Sequence, residues 1–172
     1  ANAIVAGDTV YVSGGTDSTL YLRDLLVSKS YDADTLVIIT KGRDIGHDGD
    51  VYFRQTDEND DYGLALSNCD GIKIKDINFY WTSTKLYDSA RTYSCLYLTH
   101  CENITGDSCS MISNGMAIPL NVGYCTNLTI TDNTLQVLQN TYFLSQDGMF
   151  VGLGDGGHTI TGNEFFLEGG NN

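Results

Sequence analysis

A chain of 172 residues, 41% hydrophobic and 18% charged, suits one globular domain and excludes a disordered one. Its formal charge of −13 excludes the basic surface that nucleic-acid phosphates demand and disfavours direct capture of polyanions. Nineteen glycines, a single proline and short β-branched runs between turn residues predict many strands and little or no helix.

At the amino end, GDTVYVSGG and STLYLRDLLV alternate in polarity and predict two strands with a turn between them. The run TLVIIT at 35–40 is nearly continuously apolar, the pattern of a strand buried among parallel neighbours. Next comes the polar KGRDIGHDGD, then a strand VYFRQ from Val51 and an acidic loop from Thr56. Asp44, Asp48 and Asp50, with Asp57, Glu58, Asp60 and Asp61 beyond, supply the oxygen ligands that calcium prefers. Their spacing is not that of an EF-hand, and a solvated loop explains them equally. No cofactor is required on this reading, and Ca2+ is an ion that these oxygens would suit. Residues 1–62 thus read as irregular first coils.

Residues 63–167 carry four aligned rungs. One apolar column holds Ile72, Ile104, Leu128 and, as a departure, His158; the next holds Ile74, Gly106, Ile130 and Ile160; a third holds Phe79, Met111, Leu135 and Phe165. The steps of 32, 24 and 30 residues mark a repeat architecture. Gly71, Asn103, Asn127 and Gly157 share a column of residues that tolerate a left-handed backbone, and Asp76, Ser108, Asp132 and Gly162 supply a second turn. Two fixed corners with short strands between them describe a single-stranded β-solenoid. About six coils at about 4.8 Å each give a rod on the order of 30 Å tall. The inserts at 81–94, 113–117 and 138–149 are loops projecting from that scaffold. Residues 168–172 form a tail.

Five cysteines cannot all pair within the chain, and Cys69, Cys101 and Cys125 share one column. Stacked thiols packing as small apolar groups make a structural ladder. Disulfide or metal chemistry is the alternative, without a CxxC or Cys/His zinc spacing behind it.

The segments CDGIKIKDINF, CTNLTITDNTL and HTITGNEFF resemble the pectate-lyase-like superfamily of right-handed parallel β-helices. The likeness covers residues 63–167, more loosely those before, and implies a right-handed coil. It also implies a range of activities, from polysaccharide lyases and polygalacturonases to adhesins, so the chemistry must come from the site. Gly154 to His158 partly matches the Gly-His-Gly of polygalacturonases, and Asp147 with Asp155 would serve as paired carboxylates; Asp-Gly turns account for the same residues. A lyase needs a base and a neutraliser of the uronate carboxylate. If Ile72 and Ile74 face inward, Lys73 and Lys75 face outward, and Arg91, Tyr97 and His100 would complete an acidic-sugar face; the same lysines would also serve as solubilising edge charges. Tyr80, Trp81, Tyr87 and Tyr93 lie in or beside the longest insert and would either stack on sugar rings or fold the insert onto the rod.

Asn103-Ile-Thr105 and Asn127-Leu-Thr129 are glycosylation sequons, although backbone geometry already accounts for both asparagines. Thr129, Thr131, Thr159 and Thr161 form two outward Thr-x-Thr pairs, a pattern also at home in ordinary strands. The sequence starts almost at once in strand-like residues and stops after a rung, with no amphipathic helix, basic leader or bilayer-length apolar run. The expectation is therefore an extracellular structural or assembly module that self-associates end to end, with no membrane insertion, unless the chain is a piece of a longer protein. A calcium-dependent lyase on acidic polysaccharide, or a glycan-binding adhesin module, is the alternative.

Overall fold

The computed structural model describes residues 4–21, 25–31, 34–55, 62–81, 93–113, 117–138, 149–152 and 156–168. Every regular element among them is a strand. In chain order these are β1 (Thr9–Val12), β2 (Ser18–Tyr21), β3 (Leu25–Val27), β4 (Val37–Lys41), β5 (Asp50–Gln55), β6 (Tyr62–Ser67), β7 (Asp70–Lys75), β8 (Asn78–Trp81) and β9 (Ser94–Thr99). There follow β10 (Glu102–Asp107), β11 (Ser110–Ser113), β12 (Ile118–Gly123), β13 (Thr129–Thr131), β14 (Thr134–Val137), β15 (Met149–Val151), β16 (Thr159–Thr161) and β17 (Glu164–Leu167).

The strands belong to three sheets that the chain visits in rotation: β1-β4-β7-β10-β13-β16, β2-β5-β8-β11-β14-β17 and β3-β6-β9-β12-β15. All pairings are parallel, as expected of an all-β chain of repeated rungs. The register reproduces the sequence columns: Ile104 lies opposite Ile72, Gly106 opposite Ile74 and Ile130, and Met111 opposite Phe79 and Leu135. The third sheet adds Leu64, Leu96 and Leu120, then Leu66, Leu98 and Val122, so that three apolar faces close on one another. One contiguous core results, from Val51 to Leu135. Burying apolar surface in this way, at roughly 25 cal/mol per Å2, is the main force holding successive rungs together.

The corners follow from backbone sterics. Gly71, Asn103, Asn127 and Gly157 have φ of 68°, 53°, 51° and 78°, and Asp76, Ser108, Asp132 and Gly162 have 55°, 55°, 54° and 69°. Each lies in the left-handed region that Gly, Asn and Asp enter at least cost. A further positive-φ column, Asn68, His100 and Tyr124, at 53°, 51° and 55°, precedes the first of these corners.

The connections from the second sheet to the third differ most from rung to rung, and the expected inserts at 81–94, 113–117 and 138–149 all fall there. The corner from the first sheet to the second is two residues long in later rungs, as at 76–77 and 108–109, but 13–17 and 42–49 in the first two. These two longer loops are tied face to face. Gly14 N–H donates to the His47 carbonyl (3.1 Å), and Gly49 N–H to that of Gly15 (3.0 Å). Glycine is required at that approach, since a Cβ on Gly14 would overlap the Gly49 carbonyl.

Candidate functional site

The expected lysine face is present on β7, but it is occupied from within. Lys73 Nζ lies 2.7 Å and Lys75 Nζ 3.2 Å from Asp107 Oδ2, on the neighbouring β10. The parallel register carries Asp107 beside Lys75, so one carboxylate bridges two ammonium groups. The Lys73 ammonium, with Ser108 and Lys75 helping, holds the Asp107 carboxyl down at about 2. The hydrogen bond with Asp107 pushes Lys75 up from its ordinary value. The triad pairs both ammonium groups with one carboxylate and keeps one net positive charge on a partly exposed face. Arg91, the third cation of that expected face, lies outside the described residues, as do Tyr87, Asp57, Glu58, Asp60, Asp61, Asp147 and Asp155.

A stability prediction follows from the sign of the shift. A carboxyl depressed from 3.8 to about 2 contributes stability that is fully present above 3.8 and lost as pH falls through about 2. Asp107→Asn should therefore lower the denaturation midpoint at pH 6, and the difference from the parent should shrink between pH 4 and pH 2. Equal midpoints at pH 6 would remove the triad from the stability of the fold.

Tyr97 and His100 do not join the lysines. Tyr97 stands on the third sheet with its ring stacked on Tyr62 at 4.6 Å. His100 sits at a positive-φ corner, stacked on Tyr124 at 4.9 Å, with Nδ1 3.0 Å from Thr99 Oγ1. Of the aromatic platform, Trp81 is 1% and Tyr93 6% exposed, and the two rings pack at 5.1 Å inside the core. They are core residues, not a surface for sugars, because β8 ends with Trp81 on the inward face. Tyr80 is half-buried under the Arg54 guanidinium at 5.4 Å.

Asp44, Asp48 and Asp50 are exposed, and Asp50 is paired to Lys41 at 3.3 Å. Among the described residues no three His, Cys, Asp or Glu side chains are grouped to hold a metal ion. The sequon asparagines are engaged at their side-chain amides: Asn103 Nδ2 donates to Asp70 Oδ1 (2.9 Å) and Asn127 Nδ2 to Glu102 Oε1 (3.4 Å). His158, the odd member of an apolar column, accepts the Leu128 N–H at Nδ1 (3.3 Å).

The cysteine column is buried, with Cys69, Cys101 and Cys125 no more than 2% exposed. Cys101 Sγ donates to the carbonyls of Thr99 (3.2 Å) and Leu66 (3.3 Å), while its N–H donates to Cys125 Sγ (3.4 Å). The contact between Cys101 and Cys125 splits their acidities, pushing Cys101 up to about 11 and holding Cys125 at about 7. The Cys101 contact, reinforced by burial, pushes Cys69 up; burial does the same to Cys95 and Cys109.

The concave site that sequence reasoning missed lies at the two long corners. A cavity of about 480 Å3 is lined by Tyr11, Ser13, Gly42, Arg43, Asp44 and His47. Ser13 Oγ and His47 Nδ1 are 2.8 Å apart, and Gly15 N–H donates to the same hydroxyl at 3.2 Å. The glycine spacing of SGG and GRDIGHDGD was the available signal, since it marks two backbones that approach closely. Reading that segment only for carboxylate oxygens hides it. Comparison with known protein families, curated proteins and solved structures finds no match.

Proposed function

We propose that the chain is an extracellular structural module, a right-handed parallel β-helix of about six coils in the pectate-lyase-like manner, which assembles end to end with further copies. The rotation through three parallel sheets supports the coil, and the strong preference of parallel crossovers for one hand supports right-handedness. The observation that carries the assembly is the state of the core columns at the last described rung. Ile160, Phe165 and Leu167 are 42%, 50% and 61% exposed, whereas Ile130, Leu135 and Val137, one rung inward in the same columns, are each 1% exposed.

A second copy offers what these columns lack. Followed through the register, the column of Thr159 begins at Thr9, that of Ile160 at Val10, and that of Phe165 at Tyr21. Docking β1 and β2 of one copy on β16 and β17 of another therefore sets threonine on threonine, valine on isoleucine and tyrosine on phenylalanine. It also pairs the outer edges of β1, β2, β16 and β17, which are terminal among the described strands of their sheets. The two ends differ, so the contact does not close and a filament results. No catalysis is assigned.

Sedimentation velocity and negative-stain electron microscopy over a concentration series test this reading. Rods that lengthen with concentration are expected, and the double variant Ile160→Lys, Phe165→Lys should remain monomeric with an unchanged circular dichroism spectrum. Monomers at high concentration, without rods, would sink the proposal.

A further inference from the structure

We propose that the cavity between the 13–17 and 42–49 loops is a binding site for a neutral pyranose unit of a glycan. It goes beyond the assembly reading and does not rest on it. Later rungs turn from the first sheet to the second in two residues, so the fold itself does not need these longer loops. They are nevertheless rigidly built: Gly42 N–H donates to the Val12 carbonyl (2.7 Å), Gly14 N–H to that of His47 (3.1 Å) and His47 N–H to that of Asp44 (2.8 Å). A cavity of about 480 Å3 falls within the roughly 300–1,000 Å3 range of small-ligand sites.

Its lining supplies the complement of a sugar. Tyr11 is 58% exposed, a large aromatic side chain available to the C–H face of a pyranose. Arg43 and Asp44 are exposed, and neither has an ion-pair partner among the described residues. A guanidinium and a carboxylate on one cavity lining match two hydroxyls, one accepting from the arginine and the other donating to the aspartate. The Ser13 hydroxyl accepts from Gly15 N–H and shares a hydrogen bond with His47 Nδ1. The His47 imidazole, on the same lining, is a further polar group for a hydroxyl.

Charge selects among ligands. Arg43 and Asp44 put one charge of each sign on the lining, and the −13 of the whole chain repels anions, so a neutral ring is favoured over a uronate. A free amino acid would also satisfy both charges, but it leaves the Tyr11 ring and the His47 imidazole without a partner.

Nuclear magnetic resonance titration of the full chain tests the site, using methyl glucoside, galactoside and mannoside, their disaccharides, oligogalacturonate and free glycine. Shifts confined to residues 11–13 and 42–47 are expected with at least one neutral sugar, with affinity in the millimolar range for a single unit. Tyr11→Ala and the near-isosteric Asp44→Asn should each weaken binding by about tenfold or more, with the remaining spectrum unchanged. Absence of shifts with every neutral sugar, tighter binding of oligogalacturonate or glycine, or undiminished binding in a folded Tyr11→Ala chain would overturn the proposal. Sedimentation of the same samples reports assembly separately, so a monomer that binds sugar leaves this inference standing.

Discussion

Phe79→Ala is expected to destabilise the protein by about 3–5 kcal/mol, the range for emptying a buried aromatic position. Phe79 is 1% exposed, in the middle of the second sheet's inward column, with its ring 5.8 Å from that of Phe53 and with Met111 opposite on the next rung. Small relaxations cannot fill the gap, because the parallel register fixes the separation of the rungs on either side. Contacts in a stacked structure are made chiefly with adjacent rungs, so the cavity also weakens the coupling between the two halves of the coil. Phe165 in the same column is 50% exposed, so Phe165→Ala should cost a small fraction of that amount. Urea denaturation followed by circular dichroism measures both. Similar losses for the two variants would show that column position does not govern stability.

That contrast explains why the interior of the fold was legible in the sequence. A parallel stack sets residues of the same role directly above one another, and the apolar columns through Ile72, Ile74 and Phe79 emerge in register. The left-handed corners were legible for a related reason. Few residue types occupy that backbone region cheaply, and Gly71, Asn103, Asn127 and Gly157 all do so. Tyr124 has a φ of 55° in another column, and nothing in its residue type announces that conformation.

Function was far less legible, because outward positions are constrained by neighbours that are distant in sequence. Lys73 looks available in its own rung, and only the register shows Asp107 of the next strand taking it up. Trp81 precedes a long insert and invites a surface role, whereas strand alternation turns it inward. The Ser13 and His47 pair depends on two residues 34 positions apart in sequence, brought together where the second long corner returns to the first. No local pattern encodes that meeting, although the glycines that permit it are visible.

Asn133 lies between these extremes, and its replacement is the second large effect expected. It stands among turn residues and reads as one of them, yet it is 1% exposed and points into the corner between the first and second sheets. Its Oδ1 accepts the Cys109 N–H (2.9 Å), and its Nδ2, with two protons, lies within hydrogen-bond reach of three acceptors, the carbonyls of Thr131 (2.9 Å) and Gly106 (3.0 Å) and Asn163 Oδ1 (2.9 Å). Asn163 repeats the arrangement one rung on, accepting the Asn133 N–H (2.9 Å) and donating to the Ile130 carbonyl (2.8 Å). The two side chains thus serve backbone groups that the bend withdraws from the sheets. Asn133→Ala orphans the buried Cys109 N–H along with the accepting groups, at about 1–3 kcal/mol for each donor or acceptor left unsatisfied. Asn133→Asp keeps the acceptor for Cys109 but sets a carboxylate against the Thr131 and Gly106 carbonyls. Its loss at neutral pH should exceed that of the alanine variant and narrow on acidification, as the carboxyl gains a proton to donate. Denaturation midpoints at pH 7 and pH 4 decide the matter: an aspartate variant as stable as the parent at pH 7 would show that the corner is open to water and that the ladder is not what closes it.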